Sequence, residues 1–328
     1  MKKKYKTDLT SEHVTRSQYW HFKEDCNSVN KTKLYLFFFR IIKRSLEKFF
    51  GIVIRKKNID ANNYSLFENS SYITSNKILK IRNQNLSKVF FTLFKSLNVN
   101  KNKILNIIKK HDNFFYNKSK IKNNYGGVGY NNSLILFIFT SLIKVNYIIE
   151  SGVWKGFTTS IFDETLKDKK KFCFDINFSK LIYKSKNAEY INYDIKNHNF
   201  NTSINFKKTL AFFDDHVSQY DRFLFCQIRK VPFIIFDDDN SYFTIHSDGW
   251  PSIPTISMVK NFYKIDTNLT WKSLNRNGFY KKVLFNKKIL EEYNYIKSPN
   301  LFDLTGYHNG SPISFLIKKN FNEKKKIK

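Results

Sequence analysis

Cysteine is scarce in this chain, and that scarcity excludes two kinds of stabilisation. Among 328 residues there are 3 cysteines, Cys26, Cys173 and Cys226, and no C-x-x-C pair. An odd, sparse set of this kind provides neither a disulfide framework nor a zinc site built from cysteine pairs. Free thiols suit a reducing compartment, so we expect a cytoplasmic protein.

Long apolar runs are also missing. Residues 1–8 are basic and lead into polar residues 10–13, a pattern that does not predict a signal peptide. Residues 34–54 are apolar at 38, 42, 46, 49 and 53, but charges interrupt them, so they are not a spanning helix. The spacing instead predicts a basic amphipathic helix. It either packs on the catalytic domain or lies peripherally on the inner, anionic face of a membrane.

Acidic residues and arginine are few, and the chain is strongly basic as a result. Lysine and arginine total 57 against 27 acids, giving a formal charge of +30, and only 8 of the 57 are arginine. Two interpretations stand. Codon bias towards A and T enriches lysine, asparagine and phenylalanine, or the charge serves an acidic partner such as nucleic acid or an anionic membrane. The arginine shortage disfavours nucleic acid, where arginine supplies bidentate contacts.

One stretch has the pattern of a strand, a glycine turn and a helix. Residues 144–149 are rich in β-branched and aromatic residues, as in a central strand, and residues 157–166 have helical apolar spacing. Gly152 and Gly156 bracket the turn between them. Glycine lets the backbone approach a ligand closely, and the free amides of the helix start favour polar or anionic groups.

A second apolar strand, residues 171–176, follows this turn and contains Asp175 near its end. Asp175 lies 23 positions after Gly152, close to the offset at which a carboxylate binds a ribose in dinucleotide folds. The glycines do not follow the G-x-G-x-x-G pattern, which argues against NAD.

The pattern E-x-G-x-x-x-G with an acid on the next strand resembles motifs I and II of class I S-adenosylmethionine-dependent methyltransferases. The resemblance covers about residues 125–318. It implies that S-adenosylmethionine is the cofactor and that Gly152 and Gly156 cradle its methionine part. It further implies that Glu150 orients the turn, Asp175 holds the ribose hydroxyls, and Asp194 lies near the adenine amino group.

Acidic clusters follow two later strands. Residues 209–213 run into Asp214, Asp215 and His216, and residues 232–236 run into Asp237, Asp238, Asp239 and Asn240. In an open α/β sheet, sites form at the carboxyl ends of the strands. Clustered carboxylates repel one another, and a hard cation such as Mg²⁺ would relieve that repulsion. The alternative is that these acids are solvated caps of the strand ends.

The two clusters also resemble those of metal-dependent O-methyltransferases of the catechol and sugar type. That resemblance implies catalytic roles for Asp215 and His216, with Asp215 as the first metal ligand. The remaining ligands are Asp238 and Asp239, or Asp239 and Asn240, depending on the alignment. His216 is a general base or a helix cap.

The order of elements predicts an α/β fold with a Rossmann-like methyltransferase sheet, mostly parallel, with an antiparallel last strand. We expect loops at residues 58–85, helices near 178–186 and 289–296, and a closing strand pair at 301–304 and 313–318. The predicted organisation is a helical N-terminal extension at 1–124, a cofactor-binding domain at 125–320 and a basic tail at 321–328. The glycine-rich stretch 125–130 is a linker or a loop that closes over the cofactor.

The function predicted from these patterns is O-methylation of a small-molecule or surface-glycan hydroxyl, assisted by a divalent metal. The partners we expect are that acceptor and, as a second candidate, an anionic membrane surface. A nucleic-acid methyltransferase is an alternative that the charge favours, although no N-P-P-Y-like motif follows the fourth strand. A non-catalytic binding protein of the same fold is another alternative.

Overall fold

The structure is a computed structural model. It describes residues 76–121, 124, 127–200, 204–240, 254–261, 269–272, 277–280, 290–307 and 309–319. The amphipathic helix predicted at 34–54 and the basic tail predicted at 321–328 lie outside these residues. Within the described ranges, no helix is long and apolar enough to cross a membrane.

A seven-stranded sheet forms the centre of the molecule. The strands of the chain are β1 (Tyr147–Ser151), β2 (Lys170–Phe174), β3 (Ala188–Ile191), β4 (Thr209–Phe213), β5 (Phe233–Phe236), β6 (Leu269–Lys272), β7 (Asn277–Tyr280), β8 (Tyr293–Lys297) and β9 (Ser314–Lys318). The order in the large sheet is β3-β2-β1-β4-β5-β9-β8, and β6 pairs with β7 separately. The pairs among β1 to β5 are parallel, whereas β9 is antiparallel to both of its neighbours. The predicted fold class is confirmed in its architecture: an α/β, Rossmann-like sheet that is mostly parallel, with an antiparallel last strand.

Helices cover both faces of this sheet. They are α1 (Asn76–Leu93), α2 (Lys101–Asn113), α3 (Tyr130–Leu142), α4 (Phe157–Thr165), α5 (Gln219–Ile228), α6 (Ile256–Asn261) and α7 (Phe302–Thr305). A π-helical turn spans Phe114–Lys118, and short 3₁₀ turns span Lys95–Leu97, Ile195–Asn197 and Phe206–Lys208. Because both faces are covered, the inner strands are apolar along their whole length.

The alternation of side chains along β4 divides the core into two clusters. Leu210 and Phe212 contribute to the cluster beneath α1 to α4, whereas Ala211 and Phe213 contribute to the cluster beneath α5 and α6. This is the two-residue period of a strand, which sends successive side chains to opposite faces. All five residues of β4 are buried, so neither face of this strand contacts solvent.

The described part of the N-terminal extension packs against the sheet. Phe94, which follows α1, is fully buried, and its ring centroid lies 5.5 Å from that of Phe139 and 5.6 Å from that of Phe315. Helices α1 to α3 therefore share a hydrophobic core with β9. Helix α1 begins at Asn76, so the loop predicted at 58–85 is wrong for its last ten residues. The domain boundary at residue 124 stays a prediction.

The helix predicted near 178–186 is wrong, because the backbone there makes other hydrogen bonds. The amides of Ile182 and Tyr183 both donate to the carbonyl of Lys155 in the glycine turn. Upstream, the side chain of Asp175 accepts from the Asn177 amide, and the side chain of Asn177 accepts from Ser179. Such local side-chain bonds compete with helix formation.

The helix predicted at 289–296 is also wrong for most of its length, since β8 begins at Tyr293 and pairs with β9. Aromatic residues favour strands when a partner strand is available. The closing strand predicted at 301–304 is instead helix α7. The side chain of Asn300 accepts from the amide of Phe302 at its start, and Gly306, with a φ of 76°, ends it.

Candidate active site

The carboxyl ends of strands β1 to β5 form an acidic edge of the sheet. Seven aspartates follow these strands: Asp175, Asp194, Asp214, Asp215, Asp237, Asp238 and Asp239. The chain as a whole has a formal charge of +30, so this group of aspartates is a local excess of negative charge in a basic protein. We refer to these strand ends and the loops that follow them as the acidic edge.

The glycine turn after β1 is tightly packed against β4. Gly152 has a φ of +86°, and a Cβ at this position would lie 2.1 Å from the carbonyl oxygen of Asp214. The amide of Asp214 donates to the Ser151 carbonyl over 2.8 Å. Gly156 has a φ of +85°, and a Cβ there would lie 2.4 Å from the Tyr183 carbonyl oxygen. Both glycines are therefore required by neighbouring backbone, and their role in cradling a cofactor stays a prediction.

Asp175 connects the end of β2 to this turn. One of its carboxylate oxygens accepts hydrogen bonds from the amides of Val153, at 2.9 Å, and Trp154, at 3.1 Å. These are amides that the sequence pattern assigns to the ligand-facing turn. Asp175 thus holds the turn in shape, and the predicted contact with ribose hydroxyls remains a prediction.

Three exposed apolar side chains stand at the ends of β1, β2 and β3. Trp154 is 43% exposed, Ile176 is 77% exposed and Tyr193 is 43% exposed. Trp154 also has a φ of 50°, which a non-glycine residue rarely adopts. Large apolar groups exposed together beside polar ones mark ligand or partner sites. We call these three residues the apolar rim. The sequence patterns did not single them out, although Ile176 directly follows the predicted Asp175.

Arg222 on helix α5 joins two of the predicted site residues. Its terminal nitrogens donate to both carboxylate oxygens of Asp194 over 2.9 Å, and its Nε donates to Asp215 over 2.8 Å. Asp215 also accepts from the Ser151 hydroxyl at 2.6 Å. Partial burial raises the pKa of Asp194, but the hydrogen bonds and charge of Arg222 outweigh it and leave that pKa below its usual value. Sequence reasoning missed Arg222; the available signal was an arginine on an apolar helix in an arginine-poor chain.

A different group of side chains has the spacing of a metal site. Ligand atoms of Asp214, His216 and Asp238 all lie within 4.8 Å of one another, and Nδ1 of His216 is 3.3 Å from a carboxylate oxygen of Asp238. His216 and Asp238 have φ values of 53° and 56°. Strained backbone of this kind clusters at functional sites.

Asp239 and Asn240, two of the predicted metal ligands, point into the protein. Asp239 is fully buried and accepts from the Ser257 amide and the Tyr295 hydroxyl, each over 2.7 Å. Asn240 is also buried, and its carbonyl accepts from Thr255. With Asp215 held by Arg222, the geometry does not gather the predicted set of Asp215, Asp238, Asp239 and Asn240 around one point. Their metal roles stay predictions.

Glu150 lies beneath the glycine turn, on β1, and is fully buried. One carboxyl oxygen accepts from the Thr159 hydroxyl at 2.7 Å, and the other has no hydrogen-bond partner in the described part of the chain. Burial raises the pKa of Glu150 from 4.5 to about 8. At neutral pH this carboxyl group is therefore mostly protonated, because burial outweighs the hydrogen bond from Thr159 and the charge of Lys171, which both lower its pKa.

Comparisons with known proteins give distant likenesses. No protein-family model and no curated protein matches the chain. The tRNA (m1A58) methyltransferase TrmI of Aquifex aeolicus has a TM-score of 0.36 at 9% identity, covering 63% of this chain and 75% of that one. A SAM-dependent O-methyltransferase of Thermotoga maritima has a TM-score of 0.32 at 10% identity, covering 63% and 70%. The plantazolicin methyltransferase BpumL, in complex with SAH, has a TM-score of 0.35 at 14% identity, covering 74% and 97%. At these values they carry no argument about the acceptor.

Replacing Arg222 by methionine should destabilise the protein at neutral pH, because Asp194 and Asp215 would lose the guanidinium that donates to both of them. Breaking a buried pair costs up to about 3–5 kcal/mol, and the loss here should be smaller because Asp194 is 25% exposed. The deficit should shrink as pH falls below about 4, because the pKa of Asp194 lies below its usual value in the wild type and that contribution is lost as Asp194 becomes protonated. Urea unfolding across pH measures it. Arg229→Met is the control, since Arg229 on the same side of the sheet stacks on Phe225; equal losses in the two variants would contradict the proposed bridging role.

Glu150 should make stability depend on pH between 4.5 and about 8. In that window the native state holds a proton that the unfolded chain releases, so stability falls as pH rises, by at most about 1.4 kcal/mol per pH unit. Glu150→Gln should remove this slope while keeping a hydrogen bond to Thr159. Denaturant unfolding at a series of pH values compares it with Glu189→Gln, an exposed carboxyl. A slope unchanged in Glu150→Gln would show that Glu150 is ionised in the native state.

Proposed function

We propose that the protein is an S-adenosylmethionine-dependent methyltransferase that acts on the hydroxyl group of a small molecule or a surface glycan. The observation that carries the proposal is the apolar rim beside Asp175. Aromatic and aliphatic side chains can pack against the faces of a purine, and a carboxylate in the same place can accept hydrogen bonds from ribose hydroxyls. The rim and this acid together fit a nucleoside.

The charge of the acidic edge supports S-adenosylmethionine over a dinucleotide. A pyrophosphate would meet several aspartates here, and like charges repel strongly at short range. The sulfonium of S-adenosylmethionine is a cation and would be attracted by the same groups. The residues present therefore fit this cofactor, with Asp175 and the apolar rim at the nucleoside and the turn from Gly152 to Gly156 beside it.

S-adenosylmethionine supplies a methyl group on a positively charged sulfur. The chain's own residues must then align the acceptor hydroxyl and remove its proton. His216 is suited to that task because Asp238, 3.3 Å away, would stabilise the imidazolium that forms. Asp214 lies in the same group and can accept a hydrogen bond from the acceptor. By holding Asp215, Arg222 positions the loop after β4 that also carries Asp214 and His216.

Metal binding is an alternative role for His216, in which it would hold a divalent ion together with Asp214 and Asp238. Asp214, His216 and Asp238 present two carboxylates and one imidazole within 4.8 Å. Imidazole suits zinc or iron, whereas Mg²⁺ prefers oxygen ligands throughout. This donor set favours a transition metal over the Mg²⁺ predicted from the sequence. When bound, such an ion would lower the pKa of an acceptor hydroxyl.

The cofactor proposal is tested at Ile176. Isothermal titration calorimetry should show binding of S-adenosylhomocysteine to the wild-type protein. Ile176→Asp should weaken it by about tenfold or more, because burying an aliphatic side chain contributes roughly 1.5–3 kcal/mol. The control is Ile228→Asp at the end of α5, where the side chain is 72% exposed and distant from the acidic edge. The proposal fails if the wild type binds NAD but not S-adenosylhomocysteine, or if both variants bind equally.

The metal alternative is tested by thermal unfolding with Mn²⁺ or Zn²⁺. A bound ion should raise the melting temperature of the wild type, because a ligand selective for the native state stabilises it. His216→Ala and Asp238→Asn should abolish that rise. Asp239→Asn should lower the melting temperature, since it weakens buried hydrogen bonds, but should keep the metal-dependent rise. Loss of the rise in Asp239→Asn would instead support the ligand set predicted from the sequence. No rise with either ion leaves His216 as the general base.

A further inference from the structure

We propose that the outward face of the α1–α2 hairpin docks on an anionic lipid surface. Residues 76–113 contain eight lysines, and every one of them is exposed. They are Lys77, Lys80, Lys88, Lys95, Lys101, Lys103, Lys109 and Lys110. We call them the lysine face.

The lysine face has no exposed acid to offset it. The one acid between residues 76 and 113 is Asp112, and its carboxylate is paired with the buried Arg82 and accepts a hydrogen bond from Tyr130. The remaining charge of the hairpin is therefore that of its lysines. Such a surface attracts anions over about a Debye length, or roughly 10 Å at moderate salt.

The rest of the sheet domain does not share this bias. Residues 127–200 carry ten lysines and seven acids, and residues 204–240 carry five basic residues and six acids. Codon bias would enrich lysine along the whole chain and does not account for a hairpin almost devoid of acids. Among these described ranges, the hairpin (residues 76–113) therefore carries the largest excess of positive charge, nine basic residues against one acid.

Packing turns the lysine face outward. Leu86 and Phe90 on α1, and Ile104 and Ile108 on α2, are fully buried in the core. The lysines occupy the opposite sides of these helices, so the two outer faces form one exposed helical layer on the sheet. An amphipathic helix pair of this kind presents its polar side to a partner without losing its core contacts.

The lysine face ends close to the candidate active site. Phe115 follows Lys110 by five residues, and its ring centroid lies 6.2 Å from that of Phe157, the first residue of α4. The glycine turn directly precedes Phe157. The end of α2 therefore lies near the glycine turn, and we expect an acceptor carried on a bound surface to reach the acidic edge from that side.

The chemistry of the face favours lipid over nucleic acid. Lysine is a point charge and suits diffuse attraction to anionic headgroups, at about 1 kcal/mol per residue near the surface. Nucleic-acid surfaces add arginine forks or exposed aromatic rings that stack on bases. Between residues 76 and 113 the one arginine is buried, and the one strongly exposed large apolar residue is Ile81.

The test is co-sedimentation of the full chain with vesicles of phosphatidylcholine and phosphatidylglycerol. The wild type should bind these vesicles at low salt and be released as the salt concentration rises. It should not bind vesicles of phosphatidylcholine alone. Replacing Lys77, Lys80, Lys88 and Lys95 by glutamate should reduce partitioning by about a hundredfold or more. The control makes the same charge change at Lys167, Lys186, Lys207 and Lys208, exposed lysines outside the hairpin, and should bind nearly as the wild type does.

The outcomes separate the alternatives. Circular dichroism and S-adenosylhomocysteine binding should be unchanged in both variants. If the wild type and both variants all fail to bind S-adenosylhomocysteine, the proposed function is contradicted, and the proposal about this surface is not affected. Equal loss of vesicle binding in the two variants would overturn the proposal, since net charge alone would then explain it. Tight binding of duplex DNA or RNA that depends on the hairpin lysines, without vesicle binding, would also overturn it.

Discussion

The candidate site depends on one buried guanidinium. Arg222 holds Asp194 and Asp215 with three hydrogen bonds and so neutralises part of the charge at the ends of β3 and β4. Acidic side chains brought this close would otherwise repel one another in a partly desolvated place. Because Asp215 also accepts from Ser151, the same arginine fixes β4 against β1. Asp214 and Asp238, which this arginine does not hold, lie together with His216 within 4.8 Å of one another.

Among the residues that the structure describes, the strand-end aspartates and the hairpin lysines form two separate charged regions. The acidic edge suits a cationic methyl donor, and the lysine face suits an anionic surface, although both belong to one chain with a formal charge of +30. Net charge alone would have suggested one basic surface.

Several elements could be predicted, and two of the failures share a cause. The bounds of β4 were predicted from its apolar run and confirmed, because a strand buried on both faces leaves a continuous apolar signal. The prediction of a helix at 178–186 was wrong because the amides of Ile182 and Tyr183 donate hydrogen bonds to the carbonyl of Lys155, which is distant in sequence. The helix at 289–296 was wrong because β9 offers β8 a partner. Local propensity is overridden wherever a distant segment supplies the hydrogen bonds.

The sequence by itself determined the fold class, the glycine turn and the two acidic strand ends, because these follow from short-range patterns of apolar, glycine and aspartate residues. Only the tertiary structure decided which acids meet. In the structure, the buried Asp239 accepts hydrogen bonds from Ser257 and Tyr295, and Asp215 accepts one from Arg222. Asp214, His216 and Asp238 lie together. Neighbouring residues after a strand point in different directions, and the partner of each lies on another element. Spacing along the chain carries no information about that direction.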